Sequence, residues 1–275
     1  MSAGRSAVVP AELGARVGRL AYALRTPTVL RIVAGIVILG GWEIGIRLFA
    51  APFVARPLAI AAAAPSVLGD PAFWSATEAS VSAVLIGLLI SLVAGTLIGL
   101  MVGRLPVADR TLGFWINGFY TMPMVAVLPL LTVWFGYEEA SRLATIVFAS
   151  LFSVVFNVAD GARSVPPEYL EVGRAYRARP REIWFGITLF SALPYLIAGV
   201  RLAAGRALIG TVLAEIFTSV NGLGLYILAN ARSLHQNEAV VGVLMLCAFG
   251  LLFEWLMNGV LRRYFPWYRR DEIAP

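Results

Sequence analysis

Few side chains in this 275-residue chain could carry covalent chemistry. It has one histidine, His235, and one cysteine, Cys247, so it can build neither a multi-histidine metal site nor an intrachain disulfide. Lysine is absent, which removes any P-loop of the form GxxxxGK[ST] and with it that route to ATP hydrolysis. Paired acids and a serine–histidine arrangement are not apparent either. What remains is charge in unusual places. Arg201, Arg206 and Glu215 share one apolar run, Glu43 and Arg47 stand four apart in another, and Asp160 and Glu254 lie in two more. Ionisable groups in such runs are costly unless they face protein or water. The chemistry in reach is therefore binding and coupling, with no catalytic residue, no metal and no cofactor on this chain.

The elements that carry these charges follow from composition. Hydrophobic residues make up 59% and charged ones only 14%, against about a quarter in soluble domains. The apolar residues gather in stretches of about 20, the length a helix needs to cross about 30 Å of hydrocarbon. An all-α polytopic membrane protein is expected, with six spans near 29–50, 77–103, 111–135, 140–161, 187–216 and 239–261. The net charge of +6 is all arginine and is placed between spans, so it argues for membrane orientation and against nucleic acid. Sixteen arginines fall at the start, the end and the second and fourth inter-span segments; only Arg47, Arg56, Arg142 and Arg232 fall opposite. Both termini are thus expected in the cytoplasm. Residues 1–28 read as a retained cytoplasmic tail without a cleavable leader, in which Val17, Leu20 and Leu24 form one face of an interfacial helix or else lie in a partly ordered arm. Residues 29–262 form the membrane domain and 263–275 a second cytoplasmic tail.

Inside the spans, small residues and prolines mark special positions. Ser91, Gly95, Gly99 and Gly103 recur every fourth residue, a face on which another backbone can approach closely. In the third span, Met122 precedes Pro123, with Pro129 beyond; both prolines should kink the helix, for packing or to line a path. The fifth span holds Pro194, Arg201, Arg206 and Glu215 and belongs in the protein interior. Met122, Pro123, Pro129, Pro194, Arg201, Arg206 and Glu215 are the candidates for a translocation path.

Between spans four and five runs SVPPEYLEVGRAYRARPREIWFGI, amphipathic and rich in arginine. Ser164 is a possible cap, Pro166 and Pro167 suit a first turn, and Glu168 and Glu171 complement the positive end of a helix dipole. A helix over about 167–176 is expected, then a turn, then a second start at Pro180-Arg181-Glu182. Tyr169, Leu170, Val172 and Tyr176 would be apolar anchors for a partner's groove, with Glu171 and Arg174 orienting them.

This segment carries a resemblance. Glu171-Val172-Gly173, the gap to Ala178, and LPYLIAGVRLAAGRALIGTVLAE from Leu193 resemble the EAA loop of ATP-binding cassette importer permeases. MPMVAVLPLLTVWFG and the tail RRYFPWYR look like the nitrate, sulfonate and taurine type, and the likeness covers about residues 57–268. The resemblance implies the type I importer fold, a coupling loop over about 163–186 formed by Glu168, Tyr169, Leu170, Glu171, Val172, Gly173, Arg174, Tyr176, Arg177, Ala178 and Arg179, and a small polar or anionic organic solute. Implied partners are a dimer of cytoplasmic ATPases holding ATP and magnesium, a second permease copy or paralogue, and an extracytoplasmic solute-binding protein, all at the inner membrane of a prokaryote. Departures are Arg177 for the family's glycine, Arg179 for a small polar residue and Phe190 for a first proline. Arginine at 177 either strains a left-handed turn or has the turn rebuilt around it, with Arg177 and Arg179 reaching acids on the ATPase; the basic cluster favours rebuilding. The rival readings are an ion-coupled secondary transporter, which would expose related halves or a titrating acid, and a non-transporting membrane scaffold.

Overall fold

Six of the helices open on a proline, whose fixed φ and missing N–H suit a first turn. The computed structural model describes residues 27–49 and 54–264, so the expected tail helix and most of both tails lie outside the described residues. In chain order the helices are α1 Pro27–Phe49, α2 Pro57–Leu68, α3 Pro71–Arg104, α4 Pro106–Thr121, α5 Met124–Phe135 and α6 Glu139–Arg163. Then come α7 Pro167–Ala175, α8 Pro180–Thr218, α9 Leu223–Arg232 and α10 Gln236–Tyr264. No strand occurs among the described residues. Five helices, α1, α3, α6, α8 and α10, are long and apolar enough to cross a membrane, and α4 with α5 makes a sixth span if the bent pair counts as one.

Two compact units divide the chain, Met1–Ala62 and Ala63–Pro275. Within the first, Glu43 accepts from Arg47 Nε at 2.7 Å and from the Leu58 N–H at 3.1 Å, so the i, i+4 pair also receives the start of α2. Within the second, α6 is the central helix, packed between α3 and α8.

The α3–α6 contact explains the small-residue ladder. Ser91, Gly95, Gly99 and Gly103 face Ser150, Val154, Val158 and Ala162, themselves four apart. The two serine hydroxyls hydrogen-bond at 2.7 Å. A Cβ on Gly99 would fall 2.8 Å from the Val155 carbonyl oxygen, a separation atoms do not tolerate. Gly87 extends the ladder by one turn, against Ile146. Where lipid is as apolar as leucine, such close approach supplies the packing that holds helices together. On the other side of α6, Gly199 and Gly210 of α8 lie against Asn157 and Ala149.

The third span departs from its expected form. Instead of one kinked helix over 111–135, α4 stops at Thr121 and α5 starts at Met124 with its axis turned by 105°. Met122 and Pro123 are both extended, with ψ of 130° and 117°. Proline drives its predecessor out of the α region, so the helix ends there and does not merely bend. Pro129, expected to kink the same span, lies inside an α5 that runs unbroken to Phe135. At the opposite end of α4, Arg163 of α6 pairs with Asp109 at 2.6 Å and with Asp160 at 3.1 Å.

The fifth span is also longer than expected. α8 runs 39 residues from Pro180, absorbing the second start of the preceding loop, and residues Ile183–Thr188 within it are π-helical. Glu182 stabilises this entry by accepting the Arg179 N–H at 2.6 Å.

Candidate functional site

The connecting loop between α6 and α8 is built as a bracket. Ser164, expected as the cap of α7, instead closes α6: its N–H bonds to the Asp160 carbonyl at 2.9 Å and its hydroxyl donates to the Gly161 carbonyl at 2.9 Å. Pro166 occupies the cap position of α7 without a side-chain bond. α7 then exposes Tyr169, Val172 and, at 85%, Tyr176, with Glu168, Glu171 and Arg174 beside them and Leu170 half-buried. Three large side chains facing outward, two on this nine-residue helix and Tyr176 at its C-terminal cap, are unusual for a passive connector. Its inner side is held at Gly173, where a Cβ would stand 3.1 Å from Ile187 and 3.7 Å from Ile183, both in the π-helical turn of α8.

The end of α7 resolves the question posed by Arg177. The Arg177 N–H bonds to Arg174 O at 2.9 Å and the Ala178 N–H to Gly173 O at 2.8 Å, the paired bonds of a Schellman motif. Arg177 sits at its left-handed position with φ of 54°. The expected rebuilding of the turn around arginine has not happened; the glycine-type geometry persists with arginine in it. Satisfying the last carbonyls of α7 outweighs a strain of about 1–2 kcal/mol.

The path candidates separate into three groups. Arg201 donates to Asn258 Oδ1 and so ties α8 to α10. Arg206, five residues on and therefore on a different face, donates from Nη2 to the Tyr120 hydroxyl at 2.8 Å, with its guanidinium carbon 4.2 Å from that ring's centre. Met122 joins Arg206 and Tyr120 around a cavity of about 150 Å³ that also touches Phe119, Phe148 and Phe152. Pro123 forms the break next to it, whereas Pro129 is not among the cavity's lining residues, and Pro194 is buried inside α8.

Glu215 forms the third group and does not face an open path. It is wholly buried. Ser80 Oγ donates to its Oε1 at 2.7 Å, the Gly224 N–H to its Oε2 at 2.8 Å, and Arg142 Nη1 approaches Oε1 at 3.4 Å. Arg142, only 4% exposed, also donates to the Asn221 carbonyl at 2.9 Å and pairs with Glu139. Leu223 N–H donates to Ser80 Oγ at 2.8 Å. A Cβ on Gly222 would fall 2.2 Å from the Glu215 carboxyl, so the Asn221-Gly222-Leu223-Gly224 turn wraps a carboxylate. Neither that turn nor Ser80 or Arg142 was singled out from sequence as a partner of Glu215; two glycines just past the acid, Gly222 and Gly224, were the available signal. Tyr120 and the aromatic wall were missed as well, although Phe148, Phe152 and Phe156 recur every fourth residue on α6.

Comparison with known proteins places this geometry among relatives. Residues 87–266 match the family described as the binding-protein-dependent transport system inner membrane component. A Bacillus subtilis protein described as an aliphatic sulfonates transport permease, SsuC, is 26% identical over 84% of this chain and 84% of its own. The Escherichia coli taurine transport system permease TauC is 26% identical over 75% of each chain. The nitrate import permease NrtB of Leptolyngbya laminosa is 24% identical over 70% of this chain and 69% of its own.

Proposed function

Because the chain belongs to the binding-protein-dependent transport system inner membrane component family, whose members here are ATP-binding cassette permeases, we propose that it forms the membrane path of an importer and is driven through α7. Two copies, or this chain and a paralogue, would frame the path. A pair of cytoplasmic ATPases would hold ATP and magnesium and receive the loop over about 163–186, and a solute-binding protein would dock on the opposite face. The chain itself performs no catalysis. Its two ends and α7 lie in the cytoplasm of a prokaryotic cell, a placement supported by sixteen arginines against four. The solute is a small polar or anionic one, a class to which sulfonates, taurine and nitrate, named for the relatives, all conform.

One observation carries the coupling assignment. α7 offers Tyr169, Val172 and Tyr176 outward while Gly173 seats it on the first turns of α8, which continues unbroken into the membrane. A push on those anchors therefore reaches the path without a flexible joint. In the mechanism that follows, ATP binding draws the ATPases together, the two loops move with them, and the α8 helices tilt to open the path outward. The test is capture of the tagged chain from solubilised source membranes, with ATP hydrolysis measured in the eluate. Wild type retains an ATPase and Val172→Asp loses it; equal hydrolysis in both eluates, or none with wild type, would overturn the reading.

A further inference from the structure

Arg206 has no carboxylate within ion-pair distance among the described residues. A guanidinium carries five N–H donors, and the one bond resolved for Arg206 goes to the Tyr120 hydroxyl. The ring beneath it attracts the cation but does not neutralise it. An arginine within a membrane span is costly, and such residues persist where they face a protein interior or a cavity. Arg206 lies twelve residues before the end of α8 and lines the 150 Å³ cavity.

The walls of that cavity narrow the chemistry. Phe119 stacks on Phe152 with centroids 6.0 Å apart at 20°, and Phe148 meets Phe152 edge to face at 5.5 Å. Met122 adds an adaptable thioether beside the break between α4 and α5. The site thus has a cation and a phenol at one point and rigid apolar surface elsewhere. A fully inorganic oxyanion would leave oxygens against rings that cannot hydrogen-bond them, which is costly. An amphiphilic anion would not. The cavity, about 150 Å³ and open on one side where Met122 and Ile209 are exposed, has room for an anionic head and a short tail.

We propose that this cavity is an organic-anion subsite of the path: a sulfonate or carboxylate head on Arg206 and Tyr120, with a short apolar tail against Phe119, Phe148 and Phe152. It rests on the transport reading and names where that path recognises its cargo. Arg206 supplies donors in a planar fork that matches a sulfonate or carboxylate edge, and Tyr120 holds that fork in orientation.

Radiolabelled propane-1-sulfonate provides the probe, bound to the full chain in nanodiscs and counted by scintillation proximity. Wild type binds it saturably, Arg206→Gln binds at least tenfold more weakly, and Tyr120→Phe weakens it severalfold. Phe148→Ala weakens propanesulfonate but leaves methanesulfonate, which has almost no tail, unchanged. Should Arg206→Gln fail to fold, Arg206→Lys and Phe148→Ala decide the matter, the lysine variant being weaker than wild type because the planar fork is gone. No saturable binding by wild type, unaltered affinity in the Arg206 variants, or equal losses for both sulfonates in Phe148→Ala would overturn the subsite. Nitrate displacing propanesulfonate at equal concentration would overturn its organic character. ATPase capture by the wild type reads the importer assignment separately: capture without sulfonate binding sinks the subsite alone, and sulfonate binding without capture supports the subsite and sinks the importer.

Discussion

Single positions in this chain are governed by what a neighbouring backbone leaves unsatisfied. Arg177 adopts φ of 54° because two α7 carbonyls need partners, not because arginine favours that conformation. Replacing it with glycine removes about 1–2 kcal/mol of strain and returns part of that as chain entropy in the unfolded loop. Arg177→Gly is therefore expected to slow amide exchange at Tyr176 and Ala178, and unchanged or faster exchange would contradict the strain account. Glu215 shows the opposite case, a buried charge whose partners are all fixed. Glu215→Ala leaves Arg142 enclosed beside Glu139 alone and is expected to cost about 3–5 kcal/mol, read as a lowered thermal midpoint in detergent. The double variant Arg142→Met/Glu215→Leu should recover much of the loss; no recovery would mean that the turn itself, rather than the charge, sets the stability.

At the scale of elements, spacing decided what could be foreseen. The four-residue ladder of α3 was legible because a helix repeats its face at that interval, and the partner ladder on α6 follows from it. Its disruption should be severe: Gly99→Leu forces the Val155 carbonyl and Val158 away and is expected to cost at least the 1–3 kcal/mol of an overpacked core, seen as earlier unfolding under added denaturing detergent. Survival at wild-type detergent would remove α6 from the centre of the bundle. Helix starts at Pro167 and Pro180 were legible for an equally local reason, whereas those at Pro71 and Pro106 precede the expected spans by six and five residues. What sequence could not convey was consequence at a distance. Pro123 and Pro129 look alike along the chain, yet one ends a helix and turns the next by 105° while the other is carried inside α5. The loop's second helix could not be distinguished from the start of α8, since a π-helical stretch leaves no simple periodic mark. Gly173→Leu is expected to lift α7 off Ile187 and to lower ATPase retention even though no anchor changes; full retention would show that α7 acts independently of α8.

For the whole molecule, orientation is the property on which the importer reading depends. In a Cys247→Ala background, an impermeant thiol reagent added outside intact cells should label Asn221→Cys and miss Arg179→Cys. Inverse labelling would put α7 on the wrong side for any ATPase. The wrapped carboxylate near Asn221 has a further implication, for biogenesis. Arg142 precedes Glu215 by 73 residues, and Ser80 precedes it by 135. At about 5–20 residues per second, Arg142 leaves the ribosome about 4–15 s before its buried counterion exists. Glu139, three residues away and still exposed, is the partner available in that interval. Nascent chains stopped before Glu215 should therefore hold α6 loosely and be cleared by membrane proteases, and the same chains should become resistant once the Asn221–Gly224 turn has emerged and closed on the acid.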